Sequence, residues 1–387
     1  MARAGEEYEL VLQDVRALME GEFKRCDLGI GAGKILRIAE PGTLNSSGEV
    51  VSGDELYVSP GWVDLHVHYV DWRHRKSAGS PIKVLGPELG VTALVDAGTT
   101  GPYTYDRLEA AVADSGNDIP CFALLNILRE GIKLSDFYRT RIGWDDIPAM
   151  GPVLETAKGR ILGLKLRADN SVSARSDRLY YVRKIREAGD RFHLPIVIHI
   201  GSAPPVLEEI LPYLKEGDTI CHFLRGQGNS IIDANGKVSD AVKDAYARGV
   251  KWDLAHGMGS YSFAAAERAL DQGFTDFTVS SDLYLVSGVL YAKTFANVLT
   301  NLLVVGMPLA DIMERASSRP ARLLGLEREI KSGSEATLSV FRVASGEFVC
   351  QDVTRQKRKS GQRIIPEWTI IRGRKIRAGA KDRRLFL

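Results

Sequence analysis

Four histidines and one aspartate form the most suggestive pattern in this sequence, because each lies at the end of an apolar, strand-like run. His66 and His68 stand two apart in GWVDLHVH, and side chains two apart in a strand share a face. His199 lies near the end of IVIHI, His222 near the end of TICHF, and Asp282 near the end of VSSDL. Imidazole nitrogens and a carboxylate are a typical donor set for zinc or a similar ion. One His-x-His pair would be weak support, but five such residues in similar positions predict a metal site.

Lys165 is a sixth residue of interest, because it lies near the end of a further apolar run, LGLKL. Burying an ammonium group without a partner is costly, so its pKa falls and a neutral, nucleophilic amine becomes available. A neutral lysine beside two metal ions could add carbon dioxide. The resulting carbamate has two oxygens and one negative charge, which suits a bridge between cations. The alternative is a plain salt bridge, for example to Asp282.

The elements that must position these residues alternate between β-rich apolar runs and amphipathic helical runs from Gly61 onward. Such alternation is typical of parallel βαβ units, and near-continuous apolar strands fit a parallel sheet buried on both faces. Eight units over roughly 270 residues match a TIM barrel, whose active site lies at the carboxyl ends of the strands. The predicted strands are Trp62–Val67, Thr92–Asp96, Cys121–Asn126, Ile161–Leu166, Pro195–Ile200, Thr219–Phe223, Lys251–Ala255 and Thr278–Ser281.

The two ends of the chain differ from the middle, because both consist of short strand-like runs separated by turns. Tyr8–Leu12 is typical of the first end and Ala336–Val343 of the second. We therefore predict that residues 1–59 and 331–387 pair into one small β-domain beside a (β/α)8 barrel at residues 60–330.

Composition and charge limit the range of functions. Of 387 residues, 44% are hydrophobic and 26% charged, as in an ordinary globular protein. The 51 basic and 49 acidic residues give a net charge of +2, which is too balanced to indicate a polyanion, and the basic stretch 355–384 is interpreted as a solvated face. We expect no nucleic-acid partner and no membrane contact. Four well-separated cysteines and the lack of a recognisable signal peptide predict reduced thiols in a cytoplasmic protein.

At these residues the chain resembles the amidohydrolase superfamily, in its binuclear, dihydroorotase-like branch. GWVDLHVH looks like the strand-one motif of that superfamily, and GLKLR looks like the strand-four segment that carries a carboxylated lysine. VDAGTTG, GLKLRAD and AHGMGSYSF look most like a group of N-acyl amino acid or hydroxy-acid deacetylases, although Thr99 stands where that family usually has Ser. The resemblance covers essentially the whole chain, because the family's flanking β-sandwich is also made from both chain ends.

The resemblance implies two divalent ions, with zinc as the default, that share one hydroxide. The implied ligands are His66, His68 and Asp282 for one ion, His199 and His222 for the other, and Lys165, carboxylated by carbon dioxide, as a bridge. The hydroxide would attack the carbonyl of an amide, or an ester, of a small acyl substrate that carries a carboxylate. Asp282 is the expected catalytic residue, because it could accept the proton of the hydroxide and pass it to the leaving nitrogen.

Three further residues are candidates for substrate binding. Arg167 follows Lys165 at period two and could hold a substrate carboxylate through two parallel hydrogen bonds, and Arg225 is a weaker candidate. For each arginine the alternative is a structural ion pair. His256 could bind substrate, support a metal ligand or serve only the structure. Asp64, two residues before His66, is expected to have a supporting or structural role, for example by orienting an imidazole.

Three alternative functions stay open at this stage. The first is a ring-opening cyclic amidase, such as a hydantoinase or a dihydroorotase, which has the same barrel and metals. The second is a non-catalytic scaffold, which would have lost metal ligands. The third is a single-metal deaminase, which would lack the lysine ligand. A small-molecule substrate and a homo-oligomer are expected from the family.

Overall fold

Two separate sheets organise the chain. The structure is a computed structural model that describes residues 8–53, 55–70, 79–116, 118–132, 145–157, 159–172 and 177–379. One sheet is parallel and belongs to the middle of the chain, and the other is mixed and is built from both ends. This division is the one that the alternation of strand and helix patterns predicts.

Seven parallel strands, in sequence order, form the curved sheet of a TIM-like barrel. They are β6 (Trp62–Val67), β7 (Val91–Asp96), β8 (Cys121–Asn126), β9 (Ile161–Ala168), β10 (Ile196–Ile200), β11 (Thr219–Cys221) and β12 (Lys251–Asp253). Side chains alternate between the two faces, as β10 illustrates. Ile196, Ile198 and Ile200 pack into the main core, whereas Val197 and His199 line cavities of the barrel interior.

The eighth predicted strand, Thr278–Ser281, is not a regular strand in the structure. A bridge between Asp253 and Thr278 and another between Val67 and Leu283 connect this segment to both neighbours. Its serines bond to acidic side chains and Asp282 has a left-handed backbone with φ of 51°, so the regular ladder is interrupted. The segment still closes the ring, because Asp282 donates its backbone N–H to the carbonyl of His66 at 2.7 Å.

Ten described helices accompany the barrel, most of them with one apolar face buried against it. Pro152 lies inside the helix at residues 147–156, and the helix at residues 318–323 packs Ala321 against Val63 and Ala93. The helices are α1 (Ile82–Leu85), α2 (Tyr105–Asp114), α3 (Ile147–Thr156), α4 (Tyr180–Phe192), α5 (Leu207–Ile210), α6 (Asp240–Ala247), α7 (Phe263–Asp271), α8 (Phe295–Val304), α9 (Leu309–Ala316) and α10 (Ser318–Leu323).

The mixed sheet joins the two ends of the chain. Its eight strands are β1 (Leu10–Met19), β2 (Glu22–Gly31), β3 (Lys34–Ala39), β4 (Glu49–Ser52), β5 (Leu56–Pro60), β13 (Leu338–Gln351), β14 (Lys357–Ile371) and β15 (Arg374–Arg377). β13 runs antiparallel to β5, with Val340 opposite Val58, and both side chains are fully buried in a core of this sheet. The pairing of the ends is confirmed, while the exact domain boundaries stay a prediction.

Two simpler features complete the fold. All four cysteines are free and buried. Within the ranges described, no helix combines the length and the apolar character that crossing a bilayer requires.

Candidate metal centre

The structure brings all six predicted donor residues to the carboxyl end of the barrel. The rings of His199 and His222 lie 4.0 Å apart between centroids, and those of His66 and His222 lie 5.0 Å apart. Asp282 Oδ1 is 3.2 Å from His68 Nε2 and 3.8 Å from His66 Nε2. Because these residues come from strands far apart in sequence, the closed sheet is what assembles them.

The donor set fits a divalent cation. Ligand atoms of His66, His68 and Asp282 lie within 4.8 Å of one another. His222 Nε2 is buried and has no hydrogen-bond partner among the described residues, which is costly unless another group occupies it. Burial lowers the pKa of His66, His199 and His222 well below the ordinary value, and the nearby Lys165 lowers each further. The imidazoles are therefore neutral, which is the form that binds metals.

Outer contacts orient the imidazoles of His222 and His68. His222 Nδ1 is 2.7 Å from the carbonyl of Ala255. A carbonyl only accepts, so Nδ1 carries the proton and Nε2 keeps its lone pair. His68 Nδ1 is 2.7 Å from Thr99 Oγ1, which donates in turn to Asp96 Oδ2 at 2.8 Å. Such partners of the second ring nitrogen fix the tautomer and the orientation of metal-binding histidines.

His66 has an acidic neighbour on its other side. Its Nδ1 lies 3.5 Å from Asp253 Oδ2, and Asp253 accepts hydrogen bonds from Thr278 and Ser280. Asp64, predicted to orient an imidazole, instead accepts from the backbone N–H groups of His66 and Ser281. It thereby ties the first strand to the closing segment.

The backbone at the centre is strained, which is common at functional sites. His222 has φ of 70° and Asp282 has φ of 51°, both in the left-handed region that costs about 1–3 kcal/mol for a non-glycine residue. Two glycines make room for the donors. A Cβ at Gly98 would lie 2.7 Å from Lys165 Cβ, and one at Gly257 would lie 2.3 Å from Asp282 Oδ2.

Two curated deacetylases are similar to this chain over most of its length. No protein-family model matches the chain. A deacetylase of Enterococcus faecalis is 29% identical over 340 residues, which are 82% of this chain and 86% of that protein. A deacetylase of Brucella anthropi is 25% identical over 87% of this chain and 84% of that protein.

Solved structures share the fold over almost the whole chain. A structure described as a dihydroorotase has a TM-score of 0.84 and 24% identity, covering 96% of this chain and 99% of that one. A structure described as an adenine deaminase has a TM-score of 0.82 and 27% identity, covering 96% of this chain and 100% of that one.

Over most of its length the chain is therefore similar to deacetylases, and it shares the fold of enzymes of the amidohydrolase superfamily. It is a metal-dependent hydrolase of carbon–nitrogen bonds. The predicted resemblance and fold class are thereby confirmed, and a small-molecule substrate follows from the enzyme relatives.

The mouth of this amidohydrolase contains both candidate arginines. A cavity of about 270 Å³ is lined by Arg167, Arg225, His68, His199 and Asp282, among others. Arg167 donates to Asp169 Oδ2 at 2.5 Å. Arg225 donates to Ser260 Oγ at 3.3 Å, but its buried Nε has no partner among the described residues.

Burial lowers the pKa of Arg225, and the charge of Arg167 lowers it further against the opposing effect of Asp169. An anion in the mouth would relieve both effects. Arg225 is therefore the stronger candidate for binding a substrate carboxylate, which reverses the order expected from sequence. Side chains two residues apart along a strand point to the same face. The alternation that puts Arg167 near the mouth therefore also puts Asp169 there, and the sequence alone could have predicted this ion pair.

His256 does not line the mouth cavity of the amidohydrolase. It is fully buried, its Nδ1 is 3.1 Å from the carbonyl of Gly257, and its Nε2 is 2.9 Å from Asn301 Nδ2. Its ring stacks on Tyr261 at 4.6 Å. Both nitrogens are occupied, so this placement favours the structural role over the predicted substrate contact.

Sequence reasoning missed two contributors to the centre. One is the contact of Thr99 and Asp96 with His68, and the other is Asp253 beside His66. The signal for both was an acidic residue at the end of a strand, Asp96 in VDAG and Asp253 in KWDL. Asp96 lies on the strand next to that of His68, whereas Asp253 and His66 lie on either side of the closing segment, so only the arrangement of the strands around the barrel reveals the contacts.

Proposed function

We propose that this amidohydrolase uses two metal ions to cleave the amide, or ester, bond of a small acyl substrate that carries a carboxylate. The observation that carries the proposal is His222 Nε2, a buried and unpartnered donor atom whose ring lies 4.0 Å from that of His199 and 5.0 Å from that of His66. Relatives named deacetylase support cleavage of an acyl group.

The six donors divide into two groups around the mouth. The proposed ligands are His66, His68 and Asp282 for one ion, His199 and His222 for the other, and Lys165 between them. Zinc is the proposed metal, because neutral imidazoles and a carboxylate suit it. Assembly as a homo-oligomer is proposed from the family resemblance alone.

Lys165 supports the bridging role through its surroundings. It is 2% exposed, and among the described residues the group within hydrogen-bonding distance of its Nζ is the thiol of Cys221, at 3.5 Å. The alternative of a salt bridge to Asp282 therefore has no support. A carbamate formed from Lys165 and carbon dioxide would replace this poorly partnered cation by an anion between the histidines.

The protein's own groups would position the reaction and move its proton. When bound, the two ions supply Lewis acidity for the scissile carbonyl and lower the pKa of the attacking water. The Asp282 carboxylate, 3.2 Å from His68, accepts a proton from that water and passes it to the leaving nitrogen. The closing segment holds Asp282 in place, because its backbone N–H donates to the carbonyl of His66.

Arg225 would select the substrate. Its guanidinium lines the mouth with an Nε that has no partner among the described residues, and a guanidinium binds a carboxylate through two parallel hydrogen bonds. An N-acyl amino acid or an acyl hydroxy acid places a carboxylate close to its scissile bond and fits this arrangement.

A substrate panel tests the proposal. The zinc-loaded protein is assayed with N-acetyl amino acids, O-acetyl hydroxy acids and cyclic imides, and acetate or ring-opened product is measured. We expect turnover of the acetylated acids. Faster turnover of the cyclic imides would instead favour the ring-opening alternative.

Matched substrates isolate the role of the carboxylate. Each acetylated acid is paired with its carboxamide, which keeps the scissile bond and removes the negative charge. We expect kcat/KM to fall by about tenfold or more for the carboxamide, the loss typical of a charge-assisted hydrogen bond. Equal values for both members of a pair would contradict an arginine-bound carboxylate.

A further inference from the structure

The interior of the barrel, on the side of the centre away from the mouth, contains a second cavity. Its volume is about 350 Å³, and apolar side chains such as Leu65, Val95 and Leu124 line much of it. The core of a TIM barrel is usually filled by layers of side chains, so an open volume of this size is unusual. The cavity extends from Lys251, an exposed residue at the start of β12, to the buried His66.

Three different metal donors meet at the inner end of this core cavity. One nitrogen of His66, Cys221 Sγ and one carboxylate oxygen of Asp253 lie within 4.8 Å of one another, and all three residues line the cavity. They are 2%, 1% and 4% exposed. None of the sequence patterns pointed to this group, because Cys221 was interpreted as an ordinary buried thiol.

The separation of the nitrogen and oxygen donors suits tetrahedral coordination. His66 Nδ1 is 3.5 Å from Asp253 Oδ2, and donor atoms around a tetrahedral zinc ion lie about 3.5 Å apart. Nδ1 is also the His66 nitrogen that the mouth does not use, because Nε2 is the atom near Asp282. One imidazole can therefore face both sites.

We propose that His66 Nδ1, Cys221 Sγ and Asp253 form a third metal site, in the barrel core, that takes a thiophilic divalent cation such as zinc. The proposal rests on the proposed function in one respect, that His66 Nε2 serves the mouth. A water molecule from the core cavity would complete a four-coordinate arrangement. Thiolate ligation distinguishes this site from the mouth, whose donors are nitrogen and oxygen.

The surroundings of the three donors support the site. Asp253 is fixed by Thr278 Oγ1 at 2.7 Å and by Ser280 Oγ at 2.6 Å, which orients its carboxylate. The cavity supplies a route for the ion from the surface. Coordination would replace the proton on Sγ and the proton on Nδ1, so that Cys221 would bind as a thiolate and His66 as an imidazolate shared with the mouth, and both protons would leave to solvent.

Lys165 connects the core site with the mouth. Its Nζ lies 3.5 Å from Cys221 Sγ, so an ammonium there would repel a cation bound to the thiolate. A carbamate on Lys165 would instead attract it. Filling of the core site is therefore expected to increase when bicarbonate is present.

Titration of the metal-free full chain with cobalt(II) tests the proposal. Equivalents bound are counted by equilibrium dialysis, and the near-ultraviolet charge-transfer absorption that thiolate ligation gives to cobalt is recorded. We expect three equivalents and a thiolate band. Cys221→Ser should bind two equivalents and lose the band.

Cys121→Ser is the matched control, because Cys121 is also buried but lies outside the donor group. It should keep three equivalents and the band. Asp253→Asn gives an independent variant should Cys221→Ser not fold, and it should weaken binding of one equivalent. Two equivalents without a thiolate band in the unaltered protein, or a band that survives in Cys221→Ser, would overturn the core site and leave the proposed function intact. A single equivalent with a thiolate band would support the core site and contradict the two-ion mouth.

Discussion

Two buried histidines at the ends of neighbouring strands behave in opposite ways. His222 follows β11 and His256 follows β12, and both are fully buried. His222 has a left-handed backbone and an unpartnered Nε2, whereas His256 has both nitrogens hydrogen-bonded and stacks on Tyr261. A ring nitrogen without a hydrogen-bond partner and a strained backbone therefore indicate a functional histidine, whereas hydrogen bonds at both ring nitrogens indicate a structural one.

The pKa does not separate the two histidines. Burial lowers the pKa of His222 well below its ordinary value and lowers that of His256 to about 4. Both rings are neutral near pH 7 for the same physical reason. What differs is the environment of Nε2, which has no partner in His222 and contacts Asn301 in His256. Replacing each histidine in turn tests whether this difference separates a metal ligand from a structural residue.

The largest effect is expected from His222→Asn. Losing a metal ligand should reduce kcat/KM by more than about 100-fold, the upper range for losing an outer partner of a ligand. One of the two mouth ions should also be lost, which metal analysis of the purified variant measures. His256→Asn is the control and should keep both ions. Equal metal loss in the two variants would contradict the assignment of His222 as a metal ligand and of His256 as a structural residue.

Thr99 is not a proposed metal ligand, but its hydroxyl contacts Nδ1 of the proposed ligand His68 and so fixes the orientation of that ring. Thr99→Val removes the hydroxyl that His68 Nδ1 contacts and should reduce metal affinity or activity by roughly 10–100-fold. Thr99→Ser keeps the hydroxyl and should retain most of both. A chelator competition assay measures the affinity, and similar values for Val and Ser would show that the hydroxyl does not matter.

The same criterion of an unsatisfied atom ranks the two mouth arginines. Arg225→Met should raise KM for acetylated acids by about tenfold, because it removes a charge-assisted hydrogen bond. Arg167→Met should raise it less, since Arg167 is already paired with Asp169. Steady-state kinetics with an acid and its carboxamide measure both, and a larger effect at Arg167 would restore the order expected from sequence.

The smallest effect on activity is expected at His256, where the consequence is pH-dependent stability. Burial lowers its pKa in the folded state to about 4, from the ordinary value of 6.5. Above pH 6.5 neither state is protonated, and as the pH falls towards 4 the unfolded chain takes up the proton first, so stability is lost. His256→Gln keeps an acceptor for Asn301 and should lose less stability between pH 7 and pH 5, by about 2 kcal/mol. Urea unfolding at both pH values measures this difference, and parallel losses would contradict it.

Much of the barrel and of its donor set could be predicted from the sequence. Each of the six donors lies at or near the end of an apolar run, and this local pattern predicts that all six lie at the mouth of the barrel. The prediction of a regular eighth strand was wrong, because Ser280 and Ser281 donate hydrogen bonds to acidic side chains of the neighbouring strands. That pairing depends on strand register, which local patterns do not contain.

The supporting contacts could be predicted only in part for the same reason. Asp96 and Asp253 were visible as acidic residues at strand ends, but their proximity to His68 and His66 depends on how the strands are arranged around the closed barrel. His256 is the converse case, since its position resembled that of a ligand while Asn301, from a distant helix, already occupies its Nε2, which favours the structural role among the three that the sequence left open.

The proposal that two metal ions bind at the barrel mouth can be tested by anomalous diffraction at the zinc absorption edge, from crystals grown with zinc. We expect two peaks at the barrel mouth, roughly 3.5–4 Å apart as in other two-metal sites, one beside His66, His68 and Asp282 and the other beside His199 and His222. A mouth with one peak or none, with the protein otherwise folded as described, would contradict the two-metal mechanism.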